Sequence, residues 1–306
     1  MIVRDAEDSI ERCVASVRPH VSELCIYLAG ESKDGTVKIL DRLARKQGTP
    51  MRVVQGEWRD DFAWARERSF DLVSAEHEWI FWIDADDELR GGENLPACER
   101  IGEANRLPYV MIAHGYNFLD GKRAYLPRAR LVHRKRVYWE GIVHEDARAL
   151  VQRGTLVRSA HAPQDVIRVD HQHDTAKSPG HYLPLIESAT ADLDRNPRAC
   201  FFLARELCAL GRFDEALAPL MHYLNEQHDE IEGDPNPFRL MALNLGVELT
   251  QMTDDAPMRG YFSTLHAAYA ERLEALDENG AANAYLDRND LCTCGSGRKY
   301  KKCHGR

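Results

Sequence analysis

The chain has 306 residues, 44% of them hydrophobic and 29% charged. That balance fills a core without disulfides and excludes disordered and disulfide-scaffold classes. Forty Lys and Arg against 49 Asp and Glu leave a net charge of −9, which opposes a general nucleic-acid-binding role, because neutralising phosphates takes a basic surface.

Residues 1–90 alternate short apolar runs with amphipathic stretches. Met1-Ile2-Val3 reads as the end of a strand, and Asp8 or Ser9 is placed to cap a helix whose Ile10, Cys13, Val14 and Val17 recur at helical spacing. Leu24 to Leu28 reads as a second strand. Ser32-Lys33-Asp34-Gly35-Thr36 is turn chemistry leading into a helix with Val37, Leu40 and Leu43 on one face. Met51 to Val54 is a third strand, Phe62 to Val73 a helix, and Trp79 to Ile83 a buried strand ending at Asp84. This alternation predicts an α/β, mainly parallel sheet with helices on both faces. In such sheets ligands bind beyond the carboxyl ends of the strands.

Farther along, Tyr109 to His114, Ala129 to His133, Thr155 to Ala160 and Val166 to His171 read as strands. From about Ser178 the period becomes helical. Residues 182–189, 199–210, 213–224, 238–249 and 261–276 are predicted helices, and Cys200 to Leu217 follows a tetratricopeptide-type spacing. No apolar run approaches the roughly 20 residues a membrane helix needs, and Met1 to Val21 lacks a signal-peptide core, so a cytoplasmic protein is expected. Cys13, Cys25, Cys98, Cys200 and Cys208 lie in apolar or helical contexts and read as reduced core thiols.

Asp84-Ala85-Asp86-Asp87-Glu88 packs four carboxylates into five residues after an apolar strand. Crowded like charges need solvent, a spreading loop or a cation. Mg²⁺ and Mn²⁺ take oxygen ligands and are commonly held by one or two carboxylates plus substrate phosphates. A solvated acidic loop is the alternative for these five residues alone.

Four segments in order extend this reading. Met1-Ile2-Val3-Arg4-Asp5-Ala6-Glu7, Ser32-Lys33-Asp34-Gly35-Thr36, Trp58 to Arg66 and Trp79 to Leu89 together resemble family 2 glycosyltransferases of the GT-A fold, in the subgroup with a tetratricopeptide-like tail. The similarity runs over about residues 1–225. It implies a Rossmann-like, mixed but mainly parallel sheet with flanking helices, and transfer of a sugar from a nucleotide-sugar donor with inversion. It also implies Asp86 as the principal ligand of Mn²⁺ or Mg²⁺, Asp84 as a ribose or metal contact, and nucleotide contacts at Asp5, Asp34, Asp61 and Arg66. Asp61 reads equally as a helix cap, and Arg66 as a surface ion pair. Two departures stand out. The family's base-contacting Asp at the end of the second strand is here Ala29, for which Glu31 or Asp34 compensates in this reading, and the first strand is clipped, which points to an upstream start or a truncation.

Tyr138-Trp139-Glu140-Gly141-Ile142-Val143-His144-Glu145 resembles the same subgroup's acceptor segment. Inverting transfer needs a base for the acceptor hydroxyl. His144 and Glu145 are adjacent, so an extended chain points them to opposite faces. Glu145 is the expected base and His144 a residue near the diphosphate. A surface carboxylate is the reading of Glu140, and Trp139 reads as core. In the resembling enzymes a His after the last strand of the sheet completes the metal shell. His171 takes that place, with His173 as runner-up, and imidazole favours Mn²⁺.

At the C-terminus, Cys292, Cys294, Cys303 and His304 supply four zinc-type ligands with glycines between the pairs, and residues 292–305 match the SEC-C motif. Four such ligands leave no open position, so the Zn²⁺ is structural. Its basic residues, Arg298, Lys299, Lys301, Lys302 and Arg306, suggest docking to a protein or a nucleic acid. The expected organisation is a GT-A domain at 1–177, a helical tetratricopeptide-like region at 178–286 and a zinc knuckle at 287–306. The acceptor stays open between glycan, protein and modified nucleic acid. Two further readings remain beside the enzyme of unassigned acceptor: a glycosyltransferase acting on modified DNA, and a catalytically lapsed binding protein.

Overall fold

The buried faces follow the predicted periods. In α1 (Ile10–Val17) the residues Ile10, Cys13, Val14 and Val17 are buried, and in α2 (Thr36–Ala44) Leu40 and Leu43 turn inward. The structure is a computed structural model, and it describes residues 1–117, 123–151, 157–171, 180–226 and 237–278. The strands β1 (Ile2–Val3), β2 (Leu24–Ala29) and β3 (Met51–Gly56) form a parallel sheet in the order β1-β2-β3. All six residues of β2 are buried, as expected for a central parallel strand covered on both faces.

A second, mixed sheet is built from β4 (Trp79–Phe81), β5 (Asp87–Arg90), β6 (Tyr109–Asn117), β7 (Arg123–His133), β10 (Ala160–His161) and β11 (Arg168–His171). Its order is β4-β7-β6-β11-β5, with β10 pairing β6. Antiparallel pairing enters because β6 and β7 are consecutive along the chain, whereas β11 returns parallel to β6. The predicted strand from Trp79 to Ile83 leaves the regular ladder after Phe81, although the Trp82 N–H still donates to the Arg130 carbonyl at 3.0 Å. A two-stranded antiparallel ribbon joins β8 (Val137–Glu140) to β9 (Asp146–Ala149). The helices α3 (Phe62–Asp71) and α4 (Leu95–Ala104) accompany the sheets. Of the predicted strand over Thr155 to Ala160, residues 152–156 lie outside the described ones.

The remaining helices are α5 (Leu183–Ala189), α6 (Ala199–Ala209), α7 (Phe213–Glu226), α8 (Pro237–Met252) and α9 (Ala256–Glu278), within a turn of the predicted spans except that α9 begins five residues earlier. They share a core of Phe201, Phe202, Leu207, Leu220, Leu243 and Phe262. Val143, from the β8–β9 turn, belongs to that same core. The sheet region and the helices are therefore packed together at this turn. No described helix is long and apolar enough to cross a membrane. The four ligands of the expected zinc knuckle, Cys292, Cys294, Cys303 and His304, lie outside the described residues, as do His173 and the expected domain boundary at 177.

Candidate active site

Asp84 to Asp87 form a tight turn between β4 and β5. The Asp87 N–H donates to the Asp84 carbonyl at 3.1 Å, and the Asp84 N–H donates back to Asp87 Oδ2 at 3.2 Å. Like charges this close are tolerated because the turn splays them onto different partners. Asp84 Oδ1 accepts from Arg66 at 2.8 Å, and its Oδ2 from Arg130 at 3.3 Å. Asp87, fully buried, pairs with Arg130 at 3.0 Å and with His171 Nδ1 at 2.9 Å. Glu88 pairs with Arg90 at 3.0 Å. Asp86 is partly exposed and lies 3.9 Å from His171 Nδ1.

The strand register explains two of these meetings. Asp87 of β5 stands directly opposite His171 of β11, and side chains opposed across an antiparallel pair are in reach. Arg130 sits at a β-bulge, since Leu131 pairs with Val110 and Ala129 with Met111. An inserted residue re-aims its side chain. The Arg130 guanidinium accordingly turns inward, 3.9 Å from the centre of the Trp82 ring, with no exposure at all.

Arg66, on the first turns of α3, is 2% exposed. It lies 4.3 Å from the Trp82 ring centre and 5.6 Å from that of Trp139. Its Nε and one terminal nitrogen both donate to Glu145 Oε1, at 3.2 and 2.7 Å. Arg66 thus joins two candidate site residues 61 positions apart in sequence, Asp84 and Glu145. Arg66 makes an ion pair, as one of its two readings had it, but a buried one: its guanidinium is enclosed by two tryptophans and paired with two carboxylates. Partial burial alone would raise the Asp84 carboxyl, but the Arg66 and Arg130 guanidiniums overcome this and hold it well below the usual carboxylate range.

Asp87, His114 and His171 bring one ligand atom each within 4.8 Å of one another. Arg130 also meets this trio, 2.6 Å from His114 Nδ1. A guanidinium only donates, so Nδ1 accepts and the neutral ring carries its proton on Nε2. Burial, then the charges of Arg130 and Arg128, push the His114 imidazole far below its ordinary range. Arg130 therefore already serves as the cation among Asp84, Asp87 and His114. Asp86 and His171 offer a further donor pair, 3.9 Å apart. With Nδ1 of His171 bonded to Asp87, Nε2 is the ring atom suited to a metal. A carboxylate behind the imidazole is the arrangement that orients metal-binding histidines. One oxygen and one nitrogen donor are ligand types that Mn²⁺ accepts.

The nucleotide candidates gather at two laced loops. Asp5 Oδ1 accepts from the Lys33 N–H at 2.6 Å, and the Ala6 N–H donates to Thr36 at 2.7 Å. Asp34 accepts from the N–H groups of Thr36 at 2.9 Å and Glu7 at 3.0 Å. Burial opposes ionisation of Asp34, but the Thr36 and Glu7 hydrogen bonds win and lower its carboxyl. Asp34 thus shapes the loop as well as facing it. Ala29 is buried against Tyr27 and Ala65, and Glu31 is exposed. Asp61 caps α3, accepting from the Trp64 N–H at 2.9 Å, and is bridged by Arg195 from the helical region. The cap alternative raised by its sequence is therefore the structural role seen.

The β8–β9 turn presents His144 and Glu145 in opposite directions, as adjacency in the sequence predicts. Glu145, 8% exposed, faces Arg66, with Oε2 free of hydrogen-bond partners among the described residues. His144 faces away. Its Nε2 lies 3.1 Å from Arg205, and its ring stacks on Phe202 with centroids 4.0 Å apart. Burial first, then Arg205, Arg128 and Arg198, hold the His144 imidazole well below its ordinary range, so it is neutral at physiological pH. Sequence reasoning did not single out Arg130, His114, Asp87 or the arginines of the helical region. For Asp87 a signal existed: Asp87 and Leu89 alternate with Glu88 and Arg90 in buried–exposed register.

Comparison with known proteins follows the same lines. Residues 1–152 match the family described as Glycosyl transferase family 2, and residues 288–306 match the SEC-C motif. The chain is 24% identical over 242 residues to the glycosyltransferase SunS of Bacillus phage SPbeta, and equally to the prophage-derived SunS of Bacillus subtilis strain 168. Those matches cover 74% of this chain and 52% of each relative. It is also 37% identical over 89 residues to a TPR repeat-containing protein of Synechococcus elongatus, covering 29% of this chain and 20% of that one. The chain thus spans about half the length of the SunS proteins and a fifth of the TPR protein.

Proposed function

We propose, from the match of residues 1–152 to glycosyl transferase family 2, that the chain moves a sugar from a nucleotide-sugar donor to an acceptor hydroxyl, with a divalent cation and with inversion. The observation that carries this reading is the Asp84–Arg66–Glu145 chain of contacts, which ties the strand-end carboxylates to a carboxylate suited to act as base. In this reading Asp86 and His171 hold Mn²⁺ or Mg²⁺, and the bound cation supplies Lewis-acid neutralisation of the leaving diphosphate. The laced loops carrying Asp5 and Asp34 receive the nucleotide. Arg66 and Arg130 hold Asp84 so that its backbone sets the position of Asp86.

Glu145 then accepts the acceptor hydroxyl proton as that oxygen attacks the anomeric carbon. Arg66 occupies only Oε1, which leaves Oε2 to take the proton. The domain organisation proposed is the one read from the sequence, with a GT-A domain to residue 177, the helical region to 286, and a SEC-C knuckle whose Zn²⁺ is held by Cys292, Cys294, Cys303 and His304. The knuckle's basic residues supply a docking surface for a protein or nucleic-acid partner in the same reading.

Thermal shift tests the donor site. A ligand that binds the native state alone stabilises it by RT ln(1 + [L]/Kd), about 2.7 kcal/mol at a hundredfold excess over Kd. A nucleoside diphosphate with Mn²⁺ is expected to raise the Tm of the wild type and to leave Asp86→Ala unchanged. If every nucleotide shifts both proteins equally, Asp86 does not hold the cation.

A further inference from the structure

The β8–β9 turn is gripped from outside the sheet region. The Ile142 N–H donates to Asn196 Oδ1 at 2.8 Å, and the Ile142 carbonyl accepts from the Phe62 N–H at 2.8 Å. The two neighbours of Glu145 are each met by an arginine: His144 by Arg205 at 3.1 Å, and Asp146 by Arg198 at 3.4 Å. Phe202, between these arginines, carries the His144 ring. Arg198, the N-cap of α6, and Phe202 and Arg205 within it follow i, i+4, i+7 spacing, so they share one face.

The turn needs such a grip. Gly141 has φ +96°, and His144 has φ +54°. Left-handed backbone is natural for Gly141, but for His144 it is a strained conformation that persists only when the surroundings hold it. That conformation is what sends His144 toward α6 and Glu145 toward Arg66. A second tie acts on the other partner of Glu145: Arg195 bridges Asp61, the cap of the helix that carries Arg66.

We propose that the 198/202/205 face of α6 is a positioning element for Glu145, with Arg205 acting through His144, so that the helical region is a working part of the catalytic unit. This rests on the reading of Glu145 as the base. The contacts described for Arg205 are to His144, Glu206 and the Phe202 ring. Its effect on transfer runs through the geometry of the turn, where displacing a reacting group by about 1 Å costs up to about a hundredfold in rate.

Arg205 is 38% exposed, so Arg205→Met is expected to fold. Its kcat for transfer is expected to fall on the order of ten- to a hundredfold with the donor KM unchanged. Amide exchange at residues 141–147 is expected to quicken, while β2 and β6 keep wild-type protection. In a Glu145→Gln background the same substitution is expected to add little, because coupled residues are non-additive. An undiminished loss in that background, or wild-type exchange across the turn, would overturn the positioning role. If Glu145→Gln alone transfers at the wild-type rate, it is the base assignment that fails, and amide exchange then decides the grip of α6 separately.

Discussion

Glu145→Gln is expected to lower kcat for sugar transfer by about 10²–10⁴-fold, the usual contribution of a positioned general base. The amide keeps the size of the carboxylate and an oxygen for Arg66, so the turn and the Trp82 and Trp139 packing are retained. It lacks the negative charge that faces Arg66 and the capacity to take a proton. Donor KM is expected to stay within about threefold of wild type, because Glu145 works on the acceptor hydroxyl and uniform binding is untouched. Steady-state kinetics with a working acceptor checks this, beside a melting curve that reports the effect on Arg66. A loss appearing in donor KM with kcat intact would place Glu145 in donor binding.

Arg130→Met carries the largest expected loss of stability. Methionine keeps an unbranched chain against Trp82, but it removes the positive charge from among Asp84, Asp87 and His114. Asp87 has no exposure, and stranding one partner of a buried ion pair typically costs about 3–5 kcal/mol. For a chain of this size that corresponds to a Tm lower by roughly 6–20 °C. Adding Asp87→Asn is expected to return part of the loss, since the stranded group is then neutral and can still hydrogen-bond His171. A Tm within about 1 °C of wild type for Arg130→Met would show that the guanidinium does not balance the acidic turn.

The parts of this site that the sequence made legible are local. Asp84 and Asp86 follow a five-residue apolar run, and helical spacing in Ile10 to Val17 places that face on the core without reference to the rest of the chain. The opposite directions of His144 and Glu145 were also legible from adjacency, although a left-handed residue, not an extended strand, produces them. What stayed hidden depends on pairing register. Arg130 meets Asp84 only because β7 bulges at that residue, and no property of the sequence marks a bulge there. His171 meets Asp87 because β5 and β11 pair in one register, and a slip of one residue would separate them.

Arg66 shows the same limit in energetic form. Its position in sequence suggested a nucleotide contact or a surface pair, since arginines are mostly exposed. Its burial follows from Trp82 and Trp139 closing over it and from two carboxylates arriving from the β4–β5 turn and from the β8–β9 turn. The role of the helical region was likewise out of reach. A tetratricopeptide-like spacing predicts helices that pack on one another, and it does not predict that one helix face holds the turn beside the base.

Donor chemistry at Asp86 is read from turnover of the donor itself. The full chain is incubated with a panel of nucleotide sugars and Mn²⁺, and released nucleoside diphosphate is followed by mass spectrometry. Release is expected from one class of donor by the wild type, dependent on the divalent cation and absent in Asp86→Ala. Release that proceeds equally in Asp86→Ala, or wild-type protein that cleaves no donor in the panel with or without Mn²⁺, would contradict it.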